Sequence, residues 1–147
     1  MANIDKTGTG PLLGVIPYKA TNTRYTLSAT FDLTGGAITA ADVYQCLPIP
    51  ANTLVESVHI EVITAAVGTT LTMNVGDGGA TNGWMASVDG KAVAHDHSTE
   101  GTDARAVTNN NGYFYDAADS IDVVMTTATA ITAGPKFKLC AVCTDLN

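Results

Sequence analysis

The chain has 147 residues, a net charge of −7 and only seven lysines and arginines, scattered at Lys6, Lys19, Arg24, Lys91, Arg105, Lys136 and Lys138. They form no basic stripe to neutralise a phosphate backbone, so nucleic acid is excluded as an expected partner, and anionic membrane surfaces are disfavoured for the same reason. No apolar run approaches the roughly 20 residues needed to span a bilayer.

A chain of this length fits one domain, which buries roughly 70% of its unfolded surface. Charged residues make up 14% of it, against 22 threonines and 21 alanines. Threonine's branched Cβ suits a pleated, half-buried surface, and charged helix formers are scarce, so an all-β domain is predicted.

Residues 1–24 differ in texture from the rest. Met1 to Lys6 lacks an apolar h-region, so no secretory signal is expected. Gly8, Gly10, Pro11, Gly14 and Pro17 then break up an apolar cluster of Leu12, Leu13, Val15, Ile16 and Tyr18 that forms no periodic face. Apolar groups left in water gain nothing. The expectation is an extended N-terminal arm that finds its burial on a neighbouring subunit, followed by a β-domain over residues 25–147.

Strand signals follow in order. Tyr25, Leu27, Ala29 and Phe31 alternate with polar residues until Thr34-Gly35-Gly36, and Val43 to Leu47 reads as a short strand stopped by Pro48 and Pro50. Leu54, Val58, Ile60 and Val62 share one phase of the next strand, with Glu56 as the exception. Leu71, Met73 and Val75 continue after a Gly-Thr-Thr hairpin, ending in Gly76-Asp77-Gly78. Trp84 to Val88 and Tyr113 to Tyr115 are shorter candidates. Ile121, Val123 and Met125 alternate next, and Phe137, Leu139, Ala141 and Cys143 form the inward face of the last strand. Single helical turns are expected at residues 39–42 and 116–119. About eight strands with closely spaced turns predict an antiparallel β-sandwich of jelly-roll type. Its expected core is Leu54, Val58, Ile60, Val62, Leu71, Met73, Ile121, Val123, Phe137 and Leu139.

Catalytic chemistry has little to work with. Cys140 and Cys143 form a C-x-x-C, but three residues apart on a strand they point to opposite faces and cannot share a metal. His95-Asp96-His97 with Glu100 offers two histidines and a carboxylate, as in cupin-type metal enzymes, yet no histidine follows His97 to complete the set. Polar flanks suggest an exposed loop there, with both histidines dispensable. Asp77, Asn82 and Asp89 lack the spacing of a calcium loop. His59 has no serine or cysteine at a motif-like position and reads as structural. No G-x-S-x-G elbow, phosphate-binding loop or carboxylate couple is present. The expectation is therefore a protein without catalytic residues, cofactor or metal.

Three segments carry a resemblance. Asp42 to Val55, with its Pro50-Ala51-Asn52-Thr53-Leu54-Val55 turn, leads into Val58-His59-Ile60-Glu61-Val62; Asn74-Val75-Gly76-Asp77-Gly78 precedes Gly83-Trp84; and Tyr113-Phe114-Tyr115-Asp116-Ala117-Ala118-Asp119-Ser120-Ile121-Asp122-Val123 closes the series. Over roughly residues 40 to 145 this resembles small virion proteins of tailed bacteriophages, in particular the head decoration or cement proteins. It departs at Asn52, where their pattern has glycine. The resemblance implies a jelly-roll or related sandwich, synthesis in the host cytoplasm and a place on the outer surface of the phage head. The major capsid protein is then the expected partner. A homo-oligomer is expected, a trimer in preference to a dimer, with the arm residues Leu12, Leu13, Val15, Ile16 and Tyr18 as the docking segment. Two other classes stay open: a head- or tail-fibre glycan-binding module using Trp84, Tyr113 and Tyr115 as stacking platforms, and a cupin-like enzyme using His95, His97 and Glu100.

Overall fold

The computed structural model describes residues 3–5, 23–98 and 112–146. Ten strands run through them: β1 (Asn3–Asp5), β2 (Arg24–Asp32), β3 (Val43–Ile49), β4 (Thr53–Thr64), β5 (Thr70–Gly76), β6 (Met85–Asp89), β7 (Ala94–His97), β8 (Tyr113–Tyr115), β9 (Asp119–Thr129) and β10 (Lys136–Asp145). There is no helix among the described residues. Residues 39–42 form a turn instead of the expected helical one. Ala41 adopts a φ of 70°, and the Asp42 N–H donates to the Thr39 carbonyl at 3.2 Å. Residues 116–119 bend into β9 without a helical turn.

One sheet has the order β1-β3-β9-β5-β6 and the other β2-β10-β4-β7, with β8 also pairing to β4. Pairs nest from the outside inwards: β2 with β10, β3 with β9, β4 with β7, and β5 with β6, all antiparallel. This is a long hairpin rolled into two facing sheets, the jelly-roll sandwich anticipated from the turn spacing. Period-2 alternation supplies its core. Val58, Ile60, Val62, Leu71, Met73, Ile121, Val123, Phe137 and Leu139 are all buried between the sheets, as are Ala141 and Cys143.

The tenth expected core residue, Leu54, is not. It is half-buried, and Val55 is fully buried in its place. The cause is a β-bulge. Opposite β10, Val142 faces Ser57 and Cys143 faces Val55, so Glu56 has no partner and the inward phase switches at that point. Glu56 instead meets Arg24 at 2.6 Å and accepts from the Thr144 hydroxyl at 3.1 Å.

β3 shows the same device, skipping Cys46 between Gln45 and Leu47 in its register with β9. It also runs on through Pro48 to Ile49, beyond the stop expected from the sequence. Pro48 is tolerated because β1 covers β3 only from Val43 to Gln45. Asn52, where the resembled pattern has glycine, sits at φ 57°, a left-handed conformation that asparagine adopts more readily than most residues.

β1 pairs in parallel with β3 of its own chain, so the first few residues expected in the arm lie against their own sandwich. Leu12, Leu13, Val15, Ile16, Tyr18 and Glu100 lie outside the described residues.

Candidate functional site

Two clusters of polar side chains stand out. The first closes one end of the sandwich. Gly76 ends β5 where a Cβ would come within 2.0 Å of the Ala80 carbonyl oxygen, so only glycine lets the following tip fold back this tightly. Within that tip, Asp77 Oδ1 accepts from the N–H groups of Gly79 and Ala80 at 2.9 and 2.8 Å, and Oδ2 accepts from the Tyr115 hydroxyl at 2.7 Å. The Trp84 indole N–H donates to the same Tyr115 oxygen at 3.2 Å. Asp77 therefore acts as the keystone of a turn, and the calcium reading has no support at this carboxylate. Asp89 is likewise used locally, accepting from the Lys91 N–H at 2.8 Å.

Asp122 lies beside this corner, opposite Gly76 in the β5–β9 register. It accepts from the Ser120 hydroxyl at 2.6 Å. Burial pushes its carboxyl up to about 6; the Ser120 bond opposes the shift, and the neighbouring charges of Asp119 and Asp77 add to it. The raised value means the folded state holds the proton more tightly than the unfolded chain does. Its contribution to stability is complete below pH ~4 and is lost as pH rises through about 6, a change of at most about 3 kcal/mol. Asp122→Asn should flatten that part of the profile. Denaturant titrations from acid to neutral pH check this, and an unchanged slope would rule Asp122 out as its source.

The second cluster lies on the outer face of the sheet containing β4, β7 and β10. His95 and His97, expected in a loop, belong to the edge strand β7, which pairs with β4 so that His97 faces His59 and His95 faces Glu61. The rings of His59 and His97 are stacked, with centroids 6.1 Å apart. His95 Nε2 approaches Glu61 Oε1 at 4.0 Å, and Ser57 Oγ shares a hydrogen bond with His59 Nε2 at 3.2 Å. Cys140 of β10 stands opposite His59, and Lys138 opposite Glu61. A cleft of about 230 Å³ runs over this face. Sequence reasoning missed the pairing of His59 with His97 because 38 positions separate them; a period-2 reading of β4 does at least place His59 on the outer face.

Neither alternative site assembles as expected. Trp84 and Tyr115 are buried, and Tyr113 packs edge-on against Tyr115 with centroids 4.9 Å apart, so these rings serve the core and present no stacking platform. Phe114 is the exposed aromatic of that strand. His95 and His97 point away from the sandwich interior, unlike ligands inside a cupin barrel. Cys140 is half-exposed while Cys143 is buried, with its thiol pushed up to about 12 by burial and the nearby Glu56, so the two do not converge.

Nested strand pairing around one closed apolar core defines the class: a jelly-roll β-sandwich. The fold is shared along nearly its whole length with a chain of the capsid of Ralstonia phage GP4, which is 15% identical with a TM-score of 0.74 and 98% of each chain covered. A chain of the cyanophage Pam1 capsid asymmetric unit is 16% identical with a TM-score of 0.65, covering 90% of this chain and 91% of that one. One from the acidic stable capsid structure of Helicobacter pylori bacteriophage KHP30 is 17% identical with a TM-score of 0.61, covering 87% and 92%. At these identities the likeness establishes the fold. No protein-family model and no curated protein sequence matches the chain.

Proposed function

We propose that this chain is a structural protein of a bacteriophage virion, a decoration or cement protein that docks on the outer surface of the head and reinforces contacts between major capsid proteins. The observation that carries the reading is the end-to-end match to a phage capsid chain, covering 98% of both. The sequence resemblance to cement proteins points the same way. The burial of Trp84 and Tyr115 removes the main support for a glycan-binding module.

The docking element in this proposal is the arm, with Leu12, Leu13, Val15, Ile16 and Tyr18 inserted between capsid subunits, and a homotrimer as the assembled form. The sandwich offers backbone as well as surface for such contacts. β2 is nine residues long and, among the described residues, stands at the edge of its sheet beside β10, an edge to which an extended segment can add backbone hydrogen bonds.

Deleting residues 2–18 takes out β1, the described strand within that range, and should leave a folded sandwich that no longer occupies capsids lacking the native protein. Replacing the five arm residues by serine tests the same point with β1 intact. Sedimentation of each variant with purified heads is the measurement. Full occupancy by the serine variant rejects the clamping role.

A further inference from the structure

All three histidines of the chain lie on one outer patch of the sandwich, contributed by two strands far apart in sequence. The pairing is of the close kind. The Ser98 N–H donates to the Val58 carbonyl at 2.9 Å, and that bond brackets His59 and His97 as a non-hydrogen-bonded antiparallel pair. Side chains at such positions stand with Cβ atoms about 4.5–5.5 Å apart. Glu61 and His95 form the next row of the same face, Asp96 and Cys140 border it, and Lys138 is the cation facing it.

We propose that His59 and His97 are the anchoring ligands of a surface site for a divalent transition-metal ion of the zinc class, with Glu61 supplying a carboxylate oxygen. Imidazole nitrogen is the favoured donor for zinc, copper and nickel ions, whereas hard ions such as calcium and magnesium take oxygen. The ring separation fits. With metal–nitrogen bonds of about 2.0–2.1 Å, two imidazole centroids joined through one ion stand at most roughly 6.4 Å apart, and about 1 Å closer at a tetrahedral angle. The observed 6.1 Å is inside that limit. The rings lie within 23° of parallel and nitrogen lone pairs lie in the ring plane, so rotation of these exposed side chains must both aim the nitrogens at one ion and close the last ångström. No group of three ligands is preset among the described residues, so the proposed site requires Glu61 to swing toward the histidine pair when an ion binds.

The site would fasten β7 to the sheet. That strand is four residues long and pairs with β4 at an edge, so an ion spanning β4 and β7 adds a cross-link where backbone pairing is short. Binding to the folded form alone raises thermal stability by mass action.

Titration of metal-free, full-length protein with Zn²⁺ at pH 7.5, by calorimetry and thermal melting, tests the inference. Saturable uptake of one ion per chain is expected, together with a rise in melting temperature. Affinity should fall at least about tenfold in His59→Ala and in His97→Ala, and the rise in melting temperature at a fixed Zn²⁺ concentration should fall with it. Melting in chelator verifies that each variant is folded, since both side chains are exposed. Absence of saturable uptake overturns the proposal. So does uptake that survives both histidine variants, or that is abolished by Cys140→Ser while the histidine variants leave it intact.

Discussion

Replacing Trp84 with alanine is expected to cost about 3–5 kcal/mol, the range for truncating a large buried aromatic. Trp84 is the largest fully buried side chain, at 0% exposure. Its loss removes apolar contacts and opens a cavity that the rigid strands around it fill only in part. It also strips the Tyr115 oxygen of the indole donor at 3.2 Å, beside a carboxylate that already anchors the tip at Asp77. Trp84→Phe separates the two contributions. It retains most of the apolar volume and should lose about 1–2 kcal/mol beyond the volume change, mainly for the missing hydrogen bond. Against a total stability of about 5–15 kcal/mol, the alanine variant should be visibly destabilised in chemical denaturation. A loss under about 1 kcal/mol would falsify the placement of the indole in the core.

Ile60→Ala should cost about 2–5 kcal/mol, and Leu54→Ala less than half as much, although both lie on β4 and share one parity in the sequence. The difference is a direct reading of the bulge at Glu56. Ile60 lies after it and is buried; Leu54 lies before it and stands half-buried on the outer side. Paired denaturation curves decide the matter, since equal losses at the two positions would mean a β4 without the phase switch.

These two residues also show where the sequence was informative. Strict alternation is a local signal, so the stretches Tyr25 to Phe31, Val58 to Val62, Leu71 to Val75 and Phe137 to Cys143 could be assigned to strands and faces without any knowledge of their partners. A bulge is a property of two strands together. Glu56 announced an irregularity by interrupting the apolar phase, but nothing nearby said that the phase would flip, because the reason lies in the register with Val142 and Cys143. Cys46 gave no warning at all, being apolar enough to fit either side.

The same distinction separates the two polar clusters. Gly76-Asp77-Gly78 is legible as a tight tip because glycine and aspartate carry their turn chemistry locally, yet the acceptance of the Tyr115 hydroxyl by Asp77 needs the chain to return 38 positions later. His95 and His97 suggested a metal set lacking a third histidine after them. The one that faces His97 comes before them, from β4, and only the sheet pairing brings it there.

The position of β10 bears on the order in which the molecule takes shape. It is the last described strand along the chain, yet it lies in the middle of its sheet, bonded to β2 on one side and β4 on the other. During synthesis β2 and β4 leave the ribosome without the neighbour that both require. Their inward faces, with Leu27, Phe31, Val58 and Ile60, must wait for Phe137, Leu139 and Ala141. Pairings across so much intervening sequence form slowly, since the loop must be closed before any contact offsets its entropy. Completion of this sheet therefore waits for β10, and until it emerges β2 lacks its strand partner and β4 has only β7 and β8 beside it, an open edge of the kind that holding chaperones cover.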